Sequence, residues 1–301
     1  EKTAEDNLNL KLKLRQRSVI QTIDDIDWIK GSESPHVVEL DPTTACNLAC
    51  PDCISRDLLN QGYFSRKRLR ELTKEMIDSG VKAVVLIGGG EPLAHPEIGW
   101  VIEYLAQNDV QVGITTNGLL IDRYLDCIAE HASWVRVSMD AASSETYNFF
   151  RPSPSGKSMF DKAVENMSNL AKVKKGKLGY SFLILTEGEF DKNGPPSDNN
   201  NVVSVARSNV SEIYRGAVLA KDIGCDYFEI KPEYDIHHYS VVQKMNLMSQ
   251  AKALREFGKS LGRTVGEIAE ANNRRARAAD IVEKEQITQA RIEGRAASRG
   301  G

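Results

Sequence analysis

The chain has 301 residues, of which 41% are hydrophobic and 27% are charged, and its formal net charge is -3. This composition is ordinary for a globular protein, and the weakly negative charge indicates no general attraction to nucleic acid or to an anionic membrane. No apolar run approaches the roughly 18 residues of a membrane-spanning helix, and the polar, charged residues 1–17 are unlike a secretory signal peptide. We therefore expect a cytoplasmic protein without a membrane partner.

Residues 1–35 predict a polar helical lead-in, because apolar and charged residues are interleaved until a segment rich in Gly, Ser and Pro ends the pattern. Residues 36–239 then alternate short apolar runs with helical patterns. The predicted strands are Val37–Leu40, Ala83–Ile87, Val110–Ile114, Trp134–Ser138, Tyr180–Leu185 and Tyr227–Ile230. The predicted helices are 65–79, 96–107, 121–131, 160–173 and 210–223.

Strands that alternate with helices predict parallel β-α-β units with right-handed crossovers. Six such strands favour an α/β fold in the form of a partial (β/α)6 barrel over a complete eightfold barrel. In parallel sheets of this kind, functional residues lie in the loops after the carboxyl ends of the strands. We therefore look for a site in those loops.

Two further segments differ from this alternation. Residues 187–201 are polar and rich in turn formers, which predicts a surface loop or lid. Residues 240–301 predict a C-terminal helical extension that ends in a frayed tail, with mixed charge and several arginines after residue 264. Those arginines could bind nucleic acid or a partner, but the interspersed acidic residues favour an exposed, solvated helix, so we do not expect nucleic acid as a partner.

Three of the five cysteines fall within eight residues, directly after the first predicted strand. An odd and sparse set of cysteines in a chain of this length is not a disulfide framework. Thiolates of Cys46, Cys50 and Cys53 can hold three irons of a [4Fe–4S] cluster and leave the fourth iron open to a small chelating ligand. Cys127 lies in the middle of a predicted helix and Cys225 at the amino end of the last strand, so neither is well placed as a fourth ligand.

A structural zinc site is the alternative interpretation of these cysteines. Zinc requires four nitrogen or sulfur ligands, commonly as two closely spaced pairs, and His36 or His95 could supply the fourth. Three cysteines in one loop without a second pair fit that pattern poorly.

The motif Cys46-Asn-Leu-Ala-Cys50-Pro-Asp-Cys53 resembles the CxxxCxxC signature of the radical S-adenosylmethionine (SAM) superfamily, which follows the first strand of a partial (β/α)6 barrel. Gly88-Gly89-Gly90-Glu91-Pro92 follows the second predicted strand and is similar to the family's GGEP-like loop, which contacts the methionine amino group. Glycines there allow the backbone to approach a ligand closely, and Glu91 can accept hydrogen bonds from an ammonium. The resemblance covers residues 37–232. Asp52 departs from it, because an aromatic residue near the adenine is common before the third cysteine.

The resemblance implies an enzyme with one [4Fe–4S] cluster on the three cysteines, which are its catalytic and metal-binding residues. It cleaves SAM reductively to a 5′-deoxyadenosyl radical that abstracts hydrogen from a substrate. The implied SAM contacts are Gly88, Gly89, Gly90, Glu91, Pro92, Thr116, Asn117, Ser138 and Arg151. Thr116, Asn117 and Ser138 end the third and fourth strands, where the family binds the ribose and the methionine carboxylate. Arg151 could pair with a carboxylate or be an exposed loop arginine.

The segment after the sixth strand is the predicted substrate contact, although it could instead be a polar loop that only caps the barrel. Its candidate residues are Lys231, Glu233, His237, His238 and Tyr239. No cysteine follows Cys225, so we expect a single-cluster enzyme that acts on a small polar molecule such as a sugar, nucleotide or amino acid. Dehydration, epimerisation, decarboxylation and dehydrogenation are all open, and the expected electron donor is a flavodoxin or ferredoxin. A peptide-modifying enzyme of the same superfamily and a non-catalytic metal-binding module are the alternatives.

Overall fold

A computed structural model of the chain describes residues 34–190, 202–232 and 241–260, with isolated positions between 20 and 31. The strands of the described residues are β1 (Val37–Leu40), β2 (Ala83–Leu86), β3 (Gln111–Thr116), β4 (Ala132–Ser138), β5 (Lys177–Ile184), β6 (Thr186–Phe190), β7 (Val202–Ser208) and β8 (Tyr227–Pro232). Six of them form one parallel sheet in the order β1-β2-β3-β4-β5-β8. Within the described residues β1 and β8 do not pair, so the sheet is open.

Helices lie between successive strands of the parallel sheet along the chain. The described helices are α1 (Arg66–Asp78), α2 (Ile98–Gln107), α3 (Leu125–His131), α4 (Ser144–Phe150), α5 (Phe160–Val173), α6 (Ile213–Ile223) and α7 (Val241–Ser260). The Ser65 hydroxyl caps α1 by accepting from the Arg68 backbone N–H at 3.2 Å. None of the described helices combines the length and the apolarity that crossing a membrane requires.

The two faces of the parallel sheet differ in polarity because side chains alternate along each strand. Val137, Phe182 and Phe228 are buried on the face that packs against the helices. A Cβ built on Gly216 of α6 would lie 3.1 Å from Phe182 and 3.2 Å from Phe228, so α6 packs closely against this outer face. The opposite, inner face carries polar and charged side chains, most of which are only partly buried.

The predicted α/β fold with six parallel strands is confirmed. The prediction that residues 187–201 form a loop is wrong for Glu187–Phe190, which belong to β6 and pair antiparallel with β7. Glu and Gly are poor strand formers, so β6 depends on pairing with the valine-rich β7, a non-local effect that the local pattern does not reveal. Residues 191–201 lie outside the described residues.

Other elements differ from prediction in extent. Helix α4 was not predicted, because its seven residues are too few to show a clear periodicity. The predicted helices 121–131 and 210–223 each begin with a short 3-10 turn, Ile121–Tyr124 and Val210–Glu212. Most of the predicted lead-in at 1–35 and residues 261–301 of the predicted extension lie outside the described residues, and the domain boundaries stay predictions.

Candidate functional site

The three clustered cysteines lie in a loop that its own hydrogen bonds close at the base. The Thr44 hydroxyl donates to the Gly62 carbonyl at 2.8 Å and accepts from the backbone N–H groups of Gln61 at 2.9 Å and Gly62 at 2.8 Å. The Asn60 side-chain oxygen accepts from the backbone N–H of Cys46 at 3.3 Å. These hydrogen bonds hold the base of the cysteine loop, residues 41–64, at the carboxyl end of β1.

The cysteine thiols are partly buried, as ligands of a cluster must be. Cys46, Cys50 and Cys53 are all unpaired by disulfides and of intermediate exposure. Burial raises the pKa of Cys46 and of Cys50, and the positive charge of Arg151 opposes this increase at both residues. Because metal ligands must be thiolates, bound iron would have to overcome this cost of burial with its own charge.

The zinc alternative needs a fourth ligand beside the three cysteines, and neither histidine considered for that role is placed to supply it. His95 is occupied on both ring nitrogens, since Nε2 lies 2.8 Å from the Phe64 carbonyl and Nδ1 accepts from the Glu97 N–H. His36 precedes β1 and therefore lies at the amino end of that strand, whereas the cysteine loop follows its carboxyl end.

The glycine-rich loop, residues 88–92, packs directly against the cysteine loop. The Glu91 N–H donates to the Ala45 carbonyl at 2.8 Å. A Cβ on Gly90 would lie 2.4 Å from the Ala45 oxygen and 2.5 Å from the Thr44 carbonyl carbon, which no side chain tolerates. Gly90 is therefore needed for contact between two segments of the chain, whereas the expected reason for these glycines was close approach to a ligand.

Glu91 is a buried carboxylate that joins the ends of β2 and β3. Its oxygens accept from the Thr116 hydroxyl at 2.6 Å, the Asn117 N–H at 2.8 Å and the Leu93 N–H at 3.1 Å. Burial raises the pKa of Glu91, and these three hydrogen bonds partly oppose the increase. Thr116 and Asn117, predicted as SAM contacts, thus contact Glu91 in the structure, and their roles toward SAM stay predictions.

The Asn117 side chain connects the hydrogen-bond network of Glu91 to the cysteine loop. Its side-chain nitrogen donates to the Asn47 side-chain oxygen at 2.6 Å and lies 4.0 Å from the Cys46 sulfur. Its side-chain oxygen accepts from the Leu119 N–H at 3.0 Å. The loops after β1, β2 and β3 consequently form one hydrogen-bonded unit around Cys46.

Arg151 is not an exposed loop arginine, since its side chain is only 16% exposed and forms an ion pair with Asp140. Arg151 Nε donates to the Asp140 carboxylate at 2.7 Å, and the second Asp140 oxygen accepts from the Leu183 N–H at 2.7 Å. The neighbouring Pro152 carbonyl accepts from the Ala49 N–H at 2.8 Å, one residue before Cys50. Arg151 therefore already pairs with a carboxylate of the protein itself, that of Asp140. Asp140 is a residue to which the sequence analysis assigned no role.

Tyr147 of α4 carries an unpaired hydroxyl that interacts electrostatically with Cys50. Its side chain is fully buried on α4, and its hydroxyl has no hydrogen-bond partner among the described residues. Burial raises the pKa of Tyr147 to about 12, which Arg151 lowers and Cys50 raises through their charges. A protonated donor left unpaired near Cys50 fits a bound group with acceptor atoms, such as the sulfurs of a cluster.

The inner face of the sheet carries two charged residues that the sequence analysis missed, Arg136 and Glu229, beside the predicted Lys231. Arg136 of β4 lies 3.5 Å from the Glu229 carboxylate and donates to the Thr115 hydroxyl at 3.2 Å, and the Lys231 ammonium lies 3.0 Å from Glu229. The signal was the alternation Trp-Val-Arg-Val-Ser in β4 and Tyr-Phe-Glu-Ile-Lys in β8. Ser138 lies on the same face, opposite Ser181 in the register.

Of the predicted substrate residues, only Lys231 lies in the described part of the chain; Glu233, His237, His238 and Tyr239 lie outside it. The two remaining cysteines are placed as predicted. The Cys127 thiol faces the Gly99 carbonyl of α2 at 3.4 Å, and Cys225 precedes the amino end of β8, away from the cysteine loop. Burial raises their pKa values to about 11 and about 12.

Comparison with known proteins identifies the family. Residues 40–193 match the family model of the Radical SAM superfamily. Mycofactocin maturase MftC of Mycobacterium tuberculosis is 30% identical over 145 residues, 47% of this chain and 36% of that protein. GTP 3′,8-cyclase of Synechocystis is 32% identical over 111 residues, 35% of this chain and 34% of that protein. The chain spans only about a third of the length of these two curated relatives.

Solved structures share the fold. Streptococcus suis SuiB has a TM-score of 0.55 at 13% identity, over 84% of this chain and 54% of SuiB. Native anSMEcpe with bound AdoMet has a TM-score of 0.56 at 17% identity, over 76% of this chain and 63% of that protein. Since the family model covers just over half of the residues, the chain belongs to the radical SAM superfamily, whose cofactors are a [4Fe–4S] cluster and S-adenosylmethionine.

Proposed function

We propose that the chain holds its cluster through Cys46, Cys50 and Cys53 and uses it to start radical chemistry on a small polar substrate. The observation that carries this proposal is the hydrogen-bonded unit of the loops after β1, β2 and β3, which surrounds Cys46. When bound and reduced, the cluster supplies one electron that cleaves SAM into methionine and a 5′-deoxyadenosyl radical, which takes hydrogen from a substrate carbon. The protein's part is to position the reactants and exclude water.

The proposed SAM contacts keep the positions inferred from the motif. They are Gly88, Gly89, Gly90, Glu91, Pro92, Thr116, Asn117, Ser138 and Arg151. Because Glu91 already accepts three hydrogen bonds from the protein, its main contribution is to hold the loop in place. Arg151, which is anchored by Asp140, would contribute positive charge beside the cysteine loop.

A small polar substrate is favoured by the inner face of the sheet. Arg136, Glu229 and Lys231 give it charge, and Ser138 and Ser181 give it hydroxyls near the carboxyl ends of the strands. Glu233, His237, His238 and Tyr239 follow β8 in the chain and remain proposed substrate contacts. Dehydration, epimerisation, decarboxylation and dehydrogenation are compatible with such a site. A flavodoxin or ferredoxin is the proposed electron donor.

A peptide substrate is the second candidate. Two observations favour it: the curated relative MftC is named a maturase, and SuiB has been solved bound to its precursor peptide SuiA. The GTP 3′,8-cyclases, which match at similar identity, point instead to a nucleotide. Offering the reduced enzyme peptides and nucleotides in parallel, and measuring substrate-dependent 5′-deoxyadenosine, separates the two candidates.

Cysteine variants test the proposed function. Anaerobic reconstitution of the wild-type chain with iron and sulfide should give about four irons per chain, and reduction with SAM should release 5′-deoxyadenosine. Replacing Cys46, Cys50 and Cys53 together by alanine should abolish both. Cys127→Ala is the matched control and should retain both, since Cys127 faces α2. A fully loaded wild-type protein that forms no 5′-deoxyadenosine, or stoichiometric zinc instead of iron, would favour a non-catalytic metal-binding module.

A further inference from the structure

Three charged side chains on the inner face form a cluster in which the charges do not balance. Arg136 projects from β4, and Glu229 and Lys231 project from β8. One Glu229 oxygen is shared, at 3.5 Å from Arg136 Nη1 and 3.0 Å from Lys231 Nζ. Among the side chains that the structure describes here, two cations therefore share one carboxylate, which leaves an excess of one positive charge.

This excess charge lies in a partly desolvated place. The side chains of Arg136 and Glu229 are 24% and 22% exposed, and that of Lys231 is 41% exposed. A cation that is partly withdrawn from water is stabilised by an anion, and Arg136 keeps donors beyond the two that contact Glu229 and Thr115. The cluster thus has unused capacity to bind a negative group.

Aromatic rings limit the site on the side of the amino ends of the strands. A Cβ on Gly113 would lie 2.2 Å from the Trp134 ring, and one on Gly179 would lie 2.0 Å from the Tyr227 ring. Both rings therefore occupy the space above these glycines. Trp134 and Tyr227 each precede a member of the charged cluster by two residues on the same strand, so they lie on the same face, nearer the amino edge.

We propose that Arg136 and Lys231, together with the Thr115 hydroxyl, bind an anionic group of the substrate, a phosphate or a carboxylate. Glu229 holds the two cations in position and lowers their affinity for the anion. This inference rests on the proposed function, because it assigns the inner face to the substrate. The guanidinium fork can donate two parallel N–H groups to a pair of oxygens of either anion, and the lysine adds a point charge.

Calorimetric titration of the cluster-loaded full chain with inorganic phosphate and with acetate, at constant ionic strength, tests the proposal. At least one anion should bind saturably at one site per chain, and the tighter anion identifies the class. Arg136→Gln and Lys231→Gln should each weaken binding about tenfold, the value of a lost charge-assisted hydrogen bond. Arg68→Gln, which removes an exposed arginine paired with Glu75 on α1, should leave it unchanged.

Glu229→Gln gives an effect of opposite sign that a misfolded variant cannot produce. Removal of the shared carboxylate frees both cations, so the anion should bind at least severalfold tighter. The inference is overturned if neither anion binds, if Arg136→Gln binds as the wild type does, if Glu229→Gln weakens binding, or if saturating SAM abolishes the site. Iron content and 5′-deoxyadenosine formation by the same wild-type preparation test the proposed function separately.

Discussion

At the scale of single residues, Glu91 shows how a buried carboxylate can hold the loops of a site together. It is 2% exposed and accepts hydrogen bonds from three groups on two loops. Oε1 accepts from Thr116 and Leu93, and Oε2 accepts from Asn117. Both oxygens are thus committed to N–H or O–H donors of the protein.

Glu91→Gln should destabilise the protein, although the glutamine side chain has nearly the same shape as the glutamate side chain. In either orientation, the amide NH2 faces a backbone N–H, of Leu93 or of Asn117, and leaves that donor unpaired. An unpaired buried donor costs roughly 1–3 kcal/mol, and we expect a loss of about that size in the free energy of unfolding, measured by urea denaturation. Glu71→Gln, an exposed glutamate on α1, is the control and should change it by less than about 0.5 kcal/mol. Equal stability of both variants would show that Glu91 does not brace the loops.

Tyr147 should affect the reduction potential of the bound cluster. If its unpaired hydroxyl donates to a cluster sulfur near Cys50, Tyr147→Phe should make the cluster harder to reduce, by roughly 40 mV for one hydrogen bond. Redox titration followed by electron paramagnetic resonance measures this shift. Tyr180→Phe is the control, because the Tyr180 hydroxyl already donates to the Ala141 carbonyl. An unchanged midpoint potential in a fully iron-loaded Tyr147→Phe protein would contradict the assignment.

At the scale of elements, the site depends on the fit between loops that follow different strands. The cysteine loop and the glycine-rich loop come together at Gly90, where the neighbouring atoms belong to the backbone of Thr44 and Ala45. A backbone neighbour cannot rotate away as a side chain can. The position of the cysteines therefore depends on a residue that binds no metal.

Gly90→Ala should separate the two loops and lower iron retention. Its Cβ would lie 2.4 Å from the Ala45 oxygen, and overpacking of this kind costs about 1–3 kcal/mol of folding free energy. Iron per chain after reconstitution and thermal unfolding measure the two effects. Gly62→Ala is the control, since no described residue other than its chain neighbours has an atom within 4 Å of the added Cβ. Full iron binding by Gly90→Ala would show that the close packing is not required.

How far these features could be predicted depends on the distance in sequence over which they act. The CxxxCxxC and GGGEP motifs are short stretches of sequence, and runs of apolar residues predict the six parallel strands. The Arg136–Glu229 pair joins residues 93 positions apart, so only the alternation within each strand gave a signal. The Gly90–Ala45 contact and the unpaired Tyr147 hydroxyl have no sequence signature, because they arise from tertiary packing.

At the scale of the whole molecule, the residues of the open parallel sheet that stabilise the fold lie apart from its polar residues. Its outer face is apolar and packs on helices, which provides stability, whereas its carboxyl ends and inner face carry polar groups that cost stability. Cys46, Glu91 and Asn117 come from the loops after three successive strands, at the carboxyl ends of the sheet. The charged cluster comes from β4 and β8 on the inner face of the same sheet.

Electron paramagnetic resonance of the reduced cluster, with and without SAM labelled with 15N at its amino group, tests the central claim most directly. If Cys46, Cys50 and Cys53 bind three irons and leave the fourth to SAM, addition of SAM should change the spectrum and produce a hyperfine coupling to 15N. Cys127→Ala should give the same result as the wild type. A reduced cluster whose spectrum is unchanged by saturating SAM, with no coupling to 15N, would contradict the claim.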